Sequence, residues 1–196
     1  MKAVRLIEGR AVPLDRRDVD TDQIIPSGWL KRVERTGFGA GLFEAWRRDP
    51  AFVLNDPRYA GATVLLAGAN FGCGSSREHA VWALEEHGFR AVVAPSFADI
   101  FRTNCARVGL VTAALPEAAV ERLMRAVERD PALPVAVDVS ARTVSFAGET
   151  HPFPLDDFTR MRLLEGLDDV GLTLRHAEAI TGFEALRPAH LPRVCD

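Results

Sequence analysis

The stretch Asn70-Phe71-Gly72-Cys73-Gly74-Ser75-Ser76-Arg77-Glu78-His79 decides how this chain folds, because it separates two different sequence patterns. An apolar run that favours a β-strand precedes it at 62–67, and an alanine-rich pattern typical of a helix follows it at 80–87. Gly72 and Gly74 can adopt backbone angles that other residues avoid, so the chain can turn sharply there. The sequence therefore predicts a strand, a tight glycine turn and a helix.

The side chains in this turn fit an anion-binding site. The start of the following helix offers unpaired N–H groups and the positive end of the helix dipole. Arg77 adds a permanent planar cation that can grip a carboxylate or a phosphate with two hydrogen bonds. Ser75 and Ser76 place two hydroxyl groups beside that cation. These residues predict a small anionic ligand, with chemistry at a serine as one use of the site.

The familiar glycine motifs do not match this turn. A P-loop requires a lysine after its second glycine, and none is present. A dinucleotide fingerprint requires a third glycine where Arg77 stands, and the hydrolase motif Gly-x-Ser-x-Gly is absent. Ser75 and Glu78 do match a Ser-x-x-Glu capping box at the start of a helix. A purely structural role for Ser75 therefore stays open from these residues alone.

The same residues resemble a known family. Gly-Ser-Ser-Arg-Glu-His-Ala at 74–80 is similar to the signature of the swivelling domain of the aconitase superfamily. Further segments at 20–26, 29–39 and 96–105 fit that family in the same order. The resemblance is greatest to the bacterial-type small subunits of 3-isopropylmalate dehydratases, and it covers the chain nearly from end to end.

The resemblance implies an α/β fold, namely a single three-layer β/β/α swivelling domain over 1–196 with a loose tail at 187–196. It implies a hydro-lyase of leucine biosynthesis that interconverts 2-isopropylmalate and 3-isopropylmalate, small dicarboxylates, through isopropylmaleate. Dehydration in this superfamily relies on a [4Fe–4S] cluster. The cluster is expected on a separate large subunit, in a heterodimer or a higher assembly, and this chain is expected to bind no cofactor and to be active only with that partner.

The resemblance also assigns roles to individual residues. It makes Ser75 the catalytic base, and it makes Ser76 and Arg77 ligands of a substrate carboxylate. Asp22 is expected to orient catalytic groups or to contact substrate, with a structural role in an Asx-type turn as the alternative. A substrate-recognition loop, or alternatively a solvated basic loop, is expected at Trp29, Leu30, Lys31 and Arg32. Separately from the resemblance, the place of His79 inside the first predicted helical turn favours a structural or interface role over that of a general base.

Composition and charge narrow the class of protein. The chain has 196 residues, of which 47% are hydrophobic and 26% charged, which is ordinary for one soluble domain. The formal net charge of −3 gives no reason to expect nucleic acid or a membrane surface as a partner. No apolar run approaches the roughly 20 residues of a membrane span, and Glu8 interrupts the N-terminus too early for a secretion signal. We therefore expect a cytoplasmic protein.

The cysteines do not form a metal-binding pattern. Cys73, Cys105 and Cys195 are widely spaced, and no Cys-x-x-Cys pair exists. We expect all three to be reduced and none to be a metal ligand.

The remaining patterns predict secondary structure along the chain. Alternation of strands and helices over 62–129 predicts a parallel sheet with right-handed crossovers. Its helix near residue 99 is predicted to open at Ser96 with a Ser-x-x-Asp start. The other elements predicted are a hairpin at 3–14, a short helix at 42–48, a hairpin at 135–146, and helices at 156–166 and 168–182.

Two other functions remain open at this stage. Within the same chemistry, the chain could serve a homoaconitate, citraconate or dimethylmalate dehydratase, and residues of the 27–41 loop would decide between them. From a different class, the chain could be a non-catalytic anion-binding module that regulates a partner. A cognate large subunit with three cluster cysteines would favour the enzyme.

Overall fold

The computed structural model describes residues 1–32, 34, 36–188 and 190–191. In these ranges the strands are β1 (Leu6–Gly9), β2 (Ala11–Leu14), β3 (Val64–Ala67), β4 (Ala91–Ala94), β5 (Val111–Ala114), β6 (Val135–Asp138), β7 (Thr143–Phe146) and β8 (Glu149–Pro152). The α-helices are α1 (Thr21–Ile24), α2 (Glu44–Arg47), α3 (Glu78–His87), α4 (Asp99–Val108), α5 (Glu117–Arg129), α6 (Asp157–Glu165), α7 (Asp169–Leu174) and α8 (Ala177–Ala185). Short 3₁₀ turns cover Ser27–Lys31, Phe38–Gly41, Val53–Asn55 and Pro57–Tyr59.

A parallel sheet of order β2-β3-β4-β5 forms the centre of the molecule. Its register aligns Val12, Leu65, Val92 and Thr112 across the four strands. Every residue of β3 and β4 is buried, as expected for strands covered on both faces. Helices α3 and α4 connect consecutive strands, and α5 packs against β2, β3 and β4. The predicted strand–helix alternation over 62–129 is confirmed.

An antiparallel sheet of order β1-β6-β7-β8 adds a second layer. Its alternating inward residues, such as Val137 and Val144, join the same hydrophobic core as the parallel sheet. Two sheets and a layer of helices give the predicted three-layer β/β/α arrangement, and β6 and β7 pair as predicted. The sequence prediction missed β8, because its half-exposed residues show no apolar alternation. The turn before β8 is formed by Ala147 and Gly148, both with positive φ.

The predicted hairpin at 3–14 is wrong. β1 pairs antiparallel with β6, whereas β2 pairs parallel with β3 in the other sheet. Only Arg10 separates the two strands, and one residue is too short for a hairpin loop. The chain instead passes from one sheet to the other. Pro13 is accommodated because β2 lies at the edge of its sheet, where a missing N–H breaks no ladder.

The C-terminal part of the chain is helical, as predicted. The pattern at 156–166 forms α6, and the pattern at 168–182 divides into α7 and α8. No residue of α7 or α8 is buried, and α8 exposes 69% of Phe183. Residues 189 and 192–196 of the predicted loose tail lie outside the described residues. The assignment of 1–196 to one domain stays a prediction.

Within the described ranges, no helix combines the length and the apolar character that a membrane crossing requires.

Candidate functional site

The glycine turn lies at the carboxyl edge of the parallel sheet. Residues 71–73 continue from β3 and pair with the chain that follows the neighbouring strands on both sides. The Gly72 N–H donates to the Val19 carbonyl at 2.8 Å, and the Ala98 N–H donates to the Phe71 carbonyl at 3.1 Å. Ligands of parallel α/β sheets bind at this edge. The backbone thus holds the turn where the sequence placed a binding site.

The turn requires glycine at position 72 for two independent reasons. Gly72 has φ +77°, a left-handed conformation that strains other residues. A Cβ atom there would lie 2.2 Å from Cγ of Phe101, which leaves no space for it. Gly74 follows with φ +87° and more open surroundings. The predicted strand, glycine turn and helix are confirmed.

The two serines lie on a cavity with a volume of about 270 Å³. Its lining consists of Thr21, Gly72, Gly74, Ser75, Ser76, Arg77, Ala98, Asp99, Ile100, Phe101 and Asn104. A larger cavity of about 640 Å³ lies between 1–8 and the ends of α3 and α4, and it contains none of the predicted site residues. Volume alone therefore does not identify the site. The chemistry of the lining favours the smaller cavity, whose size suits a small dicarboxylate.

Ser75 does not cap a helix. α3 begins at Glu78, its N-cap is Arg77 in an extended conformation, and no side chain caps it. The alternative in which Ser75 and Glu78 form a capping box is therefore wrong. The Ser75 carbonyl accepts a hydrogen bond from Thr21 Oγ1 at 3.0 Å, while its hydroxyl pairs with no residue in the described part of the chain. The exposed hydroxyls of Ser75 and Ser76 are free to meet a ligand.

Arg77 and Asp22 are brought together by the fold. Arg77, whose side chain is only 16% exposed, donates from Nη1 to Oδ1 of Asp22, whose side chain is 54% exposed. Asp22 lies in the first turn of α1, and the cap of that helix is Asp20, which forms a capping box with Gln23. The alternative of an Asx-type turn at Asp22 is therefore wrong. One carboxylate orients the guanidinium and leaves its other N–H groups available.

Thr21 is a site residue that sequence reasoning missed. Only 2% of Thr21 is exposed, and it lines the serine cavity. Its N–H donates to the Cys73 carbonyl at 3.0 Å, and its hydroxyl donates to the Ser75 carbonyl. Thr21 thus fixes the backbone of the turn at Cys73 and at Ser75, the two neighbours of Gly74. A threonine between two aspartates carries no local signal of such a contact, because its partner is more than 50 residues away.

The predicted helix start at Ser96 is also wrong. α4 begins at Asp99 after Ala98, and no side chain caps it. The Ser96 hydroxyl instead accepts the N–H of Asn70 at 2.9 Å. Asn70 has φ +60°, so this hydrogen bond supports a strained residue at the entrance to the glycine turn.

The predicted substrate-recognition residues do not line the serine cavity. Trp29, Leu30 and Lys31 lie in a 3₁₀ turn, where Trp29 Nε1 donates to Glu44 Oε2 at 2.6 Å. The guanidinium of Arg32 lies 5.0 Å from the Trp29 ring centre. Trp29 and Arg32 border a separate cavity of about 390 Å³. Residues 33 and 35 of this loop lie outside the described residues, and its role in recognition stays a prediction.

His79 has a packing role. Its half-buried ring packs against Phe38, with ring centres 5.1 Å apart, and against Trp82, with ring centres 4.7 Å apart. It does not line the serine cavity. The expectation of a structural role agrees with this position.

The structure describes two of the three cysteines, Cys73 and Cys105. Cys105 is fully buried, and burial raises the pKa of its thiol well above the usual value. Burial, followed by the charges of Asp20 and Asp18, raises the pKa of the Cys73 thiol. Cys195 lies outside the described residues. Among the described residues, no three His, Cys, Asp or Glu side chains are grouped so as to hold a metal ion.

Two family models match the chain. The aconitase C-terminal domain matches residues 1–118. The C-terminal domain of the 3-isopropylmalate dehydratase small subunit matches residues 169–194. The first match contains the whole serine cavity, and the second contains α7 and α8.

Relatives match the chain over nearly its full length. It is 65% identical over 192 residues to the 3-isopropylmalate dehydratase small subunit of Frankia alni, with 98% of both chains covered. It is 60% identical over 194 residues to that of Rubrobacter xylanophilus, with 99% of this chain and 100% of the relative covered. The crystal structure of 3-isopropylmalate dehydratase (LeuD) from Methanocaldococcus jannaschii matches with a TM-score of 0.64 and 29% identity, covering 90% of this chain and 98% of that one.

Proposed function

The chain belongs to the family of 3-isopropylmalate dehydratase small subunits, and we propose that it is the small subunit of a hydro-lyase of leucine biosynthesis. In this proposal the enzyme interconverts 2-isopropylmalate and 3-isopropylmalate through isopropylmaleate. The observation that supports it best is the free hydroxyl of Ser75, which lines the same cavity as Arg77 just before α3.

Ser75 is proposed as the catalytic base. Moving a hydroxyl between adjacent carbons requires a base that removes a proton from one carbon while the hydroxyl on its neighbour leaves. A serine can act as a base only if its negatively charged form is stabilised. We propose that Arg77, which lines the same cavity and is the N-cap of α3, supplies that stabilisation together with the N–H groups at the start of this helix. The Thr21 hydroxyl holds the Ser75 backbone in place, and the Ser75 hydroxyl stays unpaired.

Arg77 and Ser76 are proposed to bind a substrate carboxylate. Most of the Arg77 side chain is buried, so a carboxylate that pairs with it is partly shielded from water and bound more strongly than at a fully exposed surface. Asp22 orients this guanidinium through the ion pair that the two side chains form. Where the assembled enzyme excludes water from this charge-assisted contact with substrate, removing one partner typically costs about 2 to 5 kcal/mol.

The large subunit is proposed to complete the active site. The described cysteines do not fit a cluster, because one is fully buried and no group of metal ligands surrounds the other. We therefore assign the [4Fe–4S] cluster to the large subunit, where it supplies the Lewis acid that polarises the substrate hydroxyl. Trp29, Leu30, Lys31 and Arg32 are proposed to contribute to substrate choice, and the cytoplasm is the proposed location.

The proposal is tested by mixing the chain anaerobically with its cognate large subunit and following the absorbance of isopropylmaleate. We expect Ser75→Ala to lower kcat by about 10² to 10⁴, the usual contribution of a general base. We expect Arg77→Lys to raise KM, because an ammonium cannot form the planar two-bond contact. Ser145→Ala is the matched control, since Ser145 hydrogen-bonds Thr150 in the antiparallel sheet.

Two results would contradict parts of this proposal. Full activity of Ser75→Ala would remove the serine from the chemistry. Turnover of a homologous malate, without turnover of isopropylmalate, would keep the reaction type and change the pathway.

A further inference from the structure

We propose that Asn104 is a further substrate-binding residue, whose side-chain amide donates a hydrogen bond to an oxygen of the dicarboxylate in the serine cavity. Asn104 lies on α4, one turn after the residues that form the wall of that cavity. The inference rests on the proposed function and extends it to an element outside the glycine turn.

Burial makes Asn104 unusual. Only 5% of it is exposed, and it is one of three buried polar or charged residues among those described. A buried amide is costly unless its donors and acceptor are paired. The cavity of Ser75, Ser76 and Arg77 is the space that Asn104 borders. A polar side chain at this place is therefore expected to have a partner in the cavity.

The orientation of the amide follows from its neighbour. Arg107 Nη1 lies 3.5 Å from Asn104 Oδ1, and a guanidinium can only donate, so the oxygen faces it and the NH₂ group faces away. In the described part of the chain, the fully buried side-chain atoms without a partner are Arg47 Nε, Thr63 Oγ1 and Arg162 Nη2. Asn104 Nδ2 is not among them, and no described residue accepts from it. It therefore retains contact with solvent, and we assign that contact to the cavity that Asn104 lines.

The first turn of α4 supports a ligand on the same side of the cavity. Asp99, Ile100 and Phe101 line it, and this helix start has no side-chain cap. Their N–H groups are unpaired within the helix, as at any helix start. Asp99 places a carboxylate at this wall, and that carboxylate repels a negatively charged group of the ligand. A neutral donor such as Asn104 suits a substrate hydroxyl, or a carboxylate that Arg77 already neutralises.

The test compares Asn104→Asp and Asn104→Ala in the complex with the large subunit. Asn104→Asp keeps the size of the side chain and replaces the donor by an anion, so we expect KM to rise at least about tenfold near pH 8. As the pH falls and the new carboxyl is protonated, the ratio of its KM to the wild-type KM should shrink. Asn104→Ala should raise KM at all pH values. Thr103→Ala is the matched control on the same helix, because the Thr103 hydroxyl donates to the Asp99 carbonyl and leaves the cavity unchanged.

Each outcome decides the assignment. A KM within twofold of wild type in Asn104→Ala, or a ratio of the Asn104→Asp KM to the wild-type KM that does not change with pH, overturns the substrate contact. If both variants fail to fold, Arg107→Ala replaces them, because Arg107 has an exposed side chain. This substitution removes the donor to Asn104 Oδ1 and lets the Asn104 amide rotate, so KM should rise several-fold. An unchanged KM overturns the assignment. If the wild-type complex itself does not turn over isopropylmalate, that result instead refutes the proposed function.

Discussion

Substituting Gly72 by alanine tests how the fold positions the serines. The residue would have to keep φ +77°, which costs an L-amino acid about 1 to 2 kcal/mol. Its Cβ would also lie 2.2 Å from Cγ and 2.7 Å from Cβ of Phe101, so the ring cannot escape by a simple rotation. Overpacking of this kind typically costs about 1 to 3 kcal/mol. We therefore expect Gly72→Ala to lower the free energy of unfolding by about 2 to 5 kcal/mol.

Gly148→Ala separates the two contributions. Gly148 has φ +81°, close to the value at Gly72, but nothing lies within 4 Å of the Cβ that alanine would add. This control should therefore lose only the backbone term, about 1 to 2 kcal/mol. Equilibrium urea unfolding, followed by circular dichroism, measures both losses with one assay. In thermal unfolding, the expected difference of about 1 to 3 kcal/mol corresponds to about 2 to 12 °C for a chain of this size.

The comparison also predicts an effect on activity. If Phe101 cannot yield, the glycine turn must shift and carry Ser75 with it, so Gly72→Ala should lose turnover in the reconstituted complex while Gly148→Ala keeps it. Equal losses of stability in the two variants, within about 0.5 kcal/mol, would refute the steric reasoning. Phe101 would then have room to move, and the glycine would be required only by its backbone angle.

Two further predictions concern Thr21 and His87. Thr21→Val should lower kcat and lower the free energy of unfolding by about 1 to 3 kcal/mol, because the Ser75 carbonyl loses its donor. Thr21→Ser keeps the donor and should retain kcat and stability. Urea unfolding measures the stability, and the isopropylmaleate assay measures kcat. Burial, followed by the charge of Arg47, lowers the pKa of His87. The unfolded chain therefore binds this proton more readily, so the stability from the neutral ring is complete above about pH 6.5 and is lost as the pH falls below it. His87→Gln should flatten that slope in urea unfolding between pH 7.5 and about 5. An unchanged slope would contradict this prediction, and so would the same change in the control His176→Gln, on the C-terminal side of α7.

Local patterns in the sequence were sufficient for much of the fold. The strand, glycine turn and helix around Gly72 follow from a change of hydrophobic period across residues with special backbone freedom. The parallel sheet follows from strands alternating with helices at short spacing. Ser75 and Arg77 could be named as site residues because the features that make them suitable, namely a glycine turn and a helix start, lie next to them in the chain.

Contacts between distant segments were decided only by the tertiary structure. Which sheet receives β1 and which receives β2 depends on strands far along the chain, and the alternation of residues at 3–14 is compatible with a hairpin as well. The ion pair of Asp22 with Arg77 joins residues 55 positions apart. Asn104 reaches the serine cavity because α4 begins beside the glycine turn. A local pattern shows which side chains are to be buried, but not what they meet. The partner of each side chain is set when the whole chain packs around one core. The free-energy minimum of that packing depends on all the contacts together, so no local sequence pattern shows it.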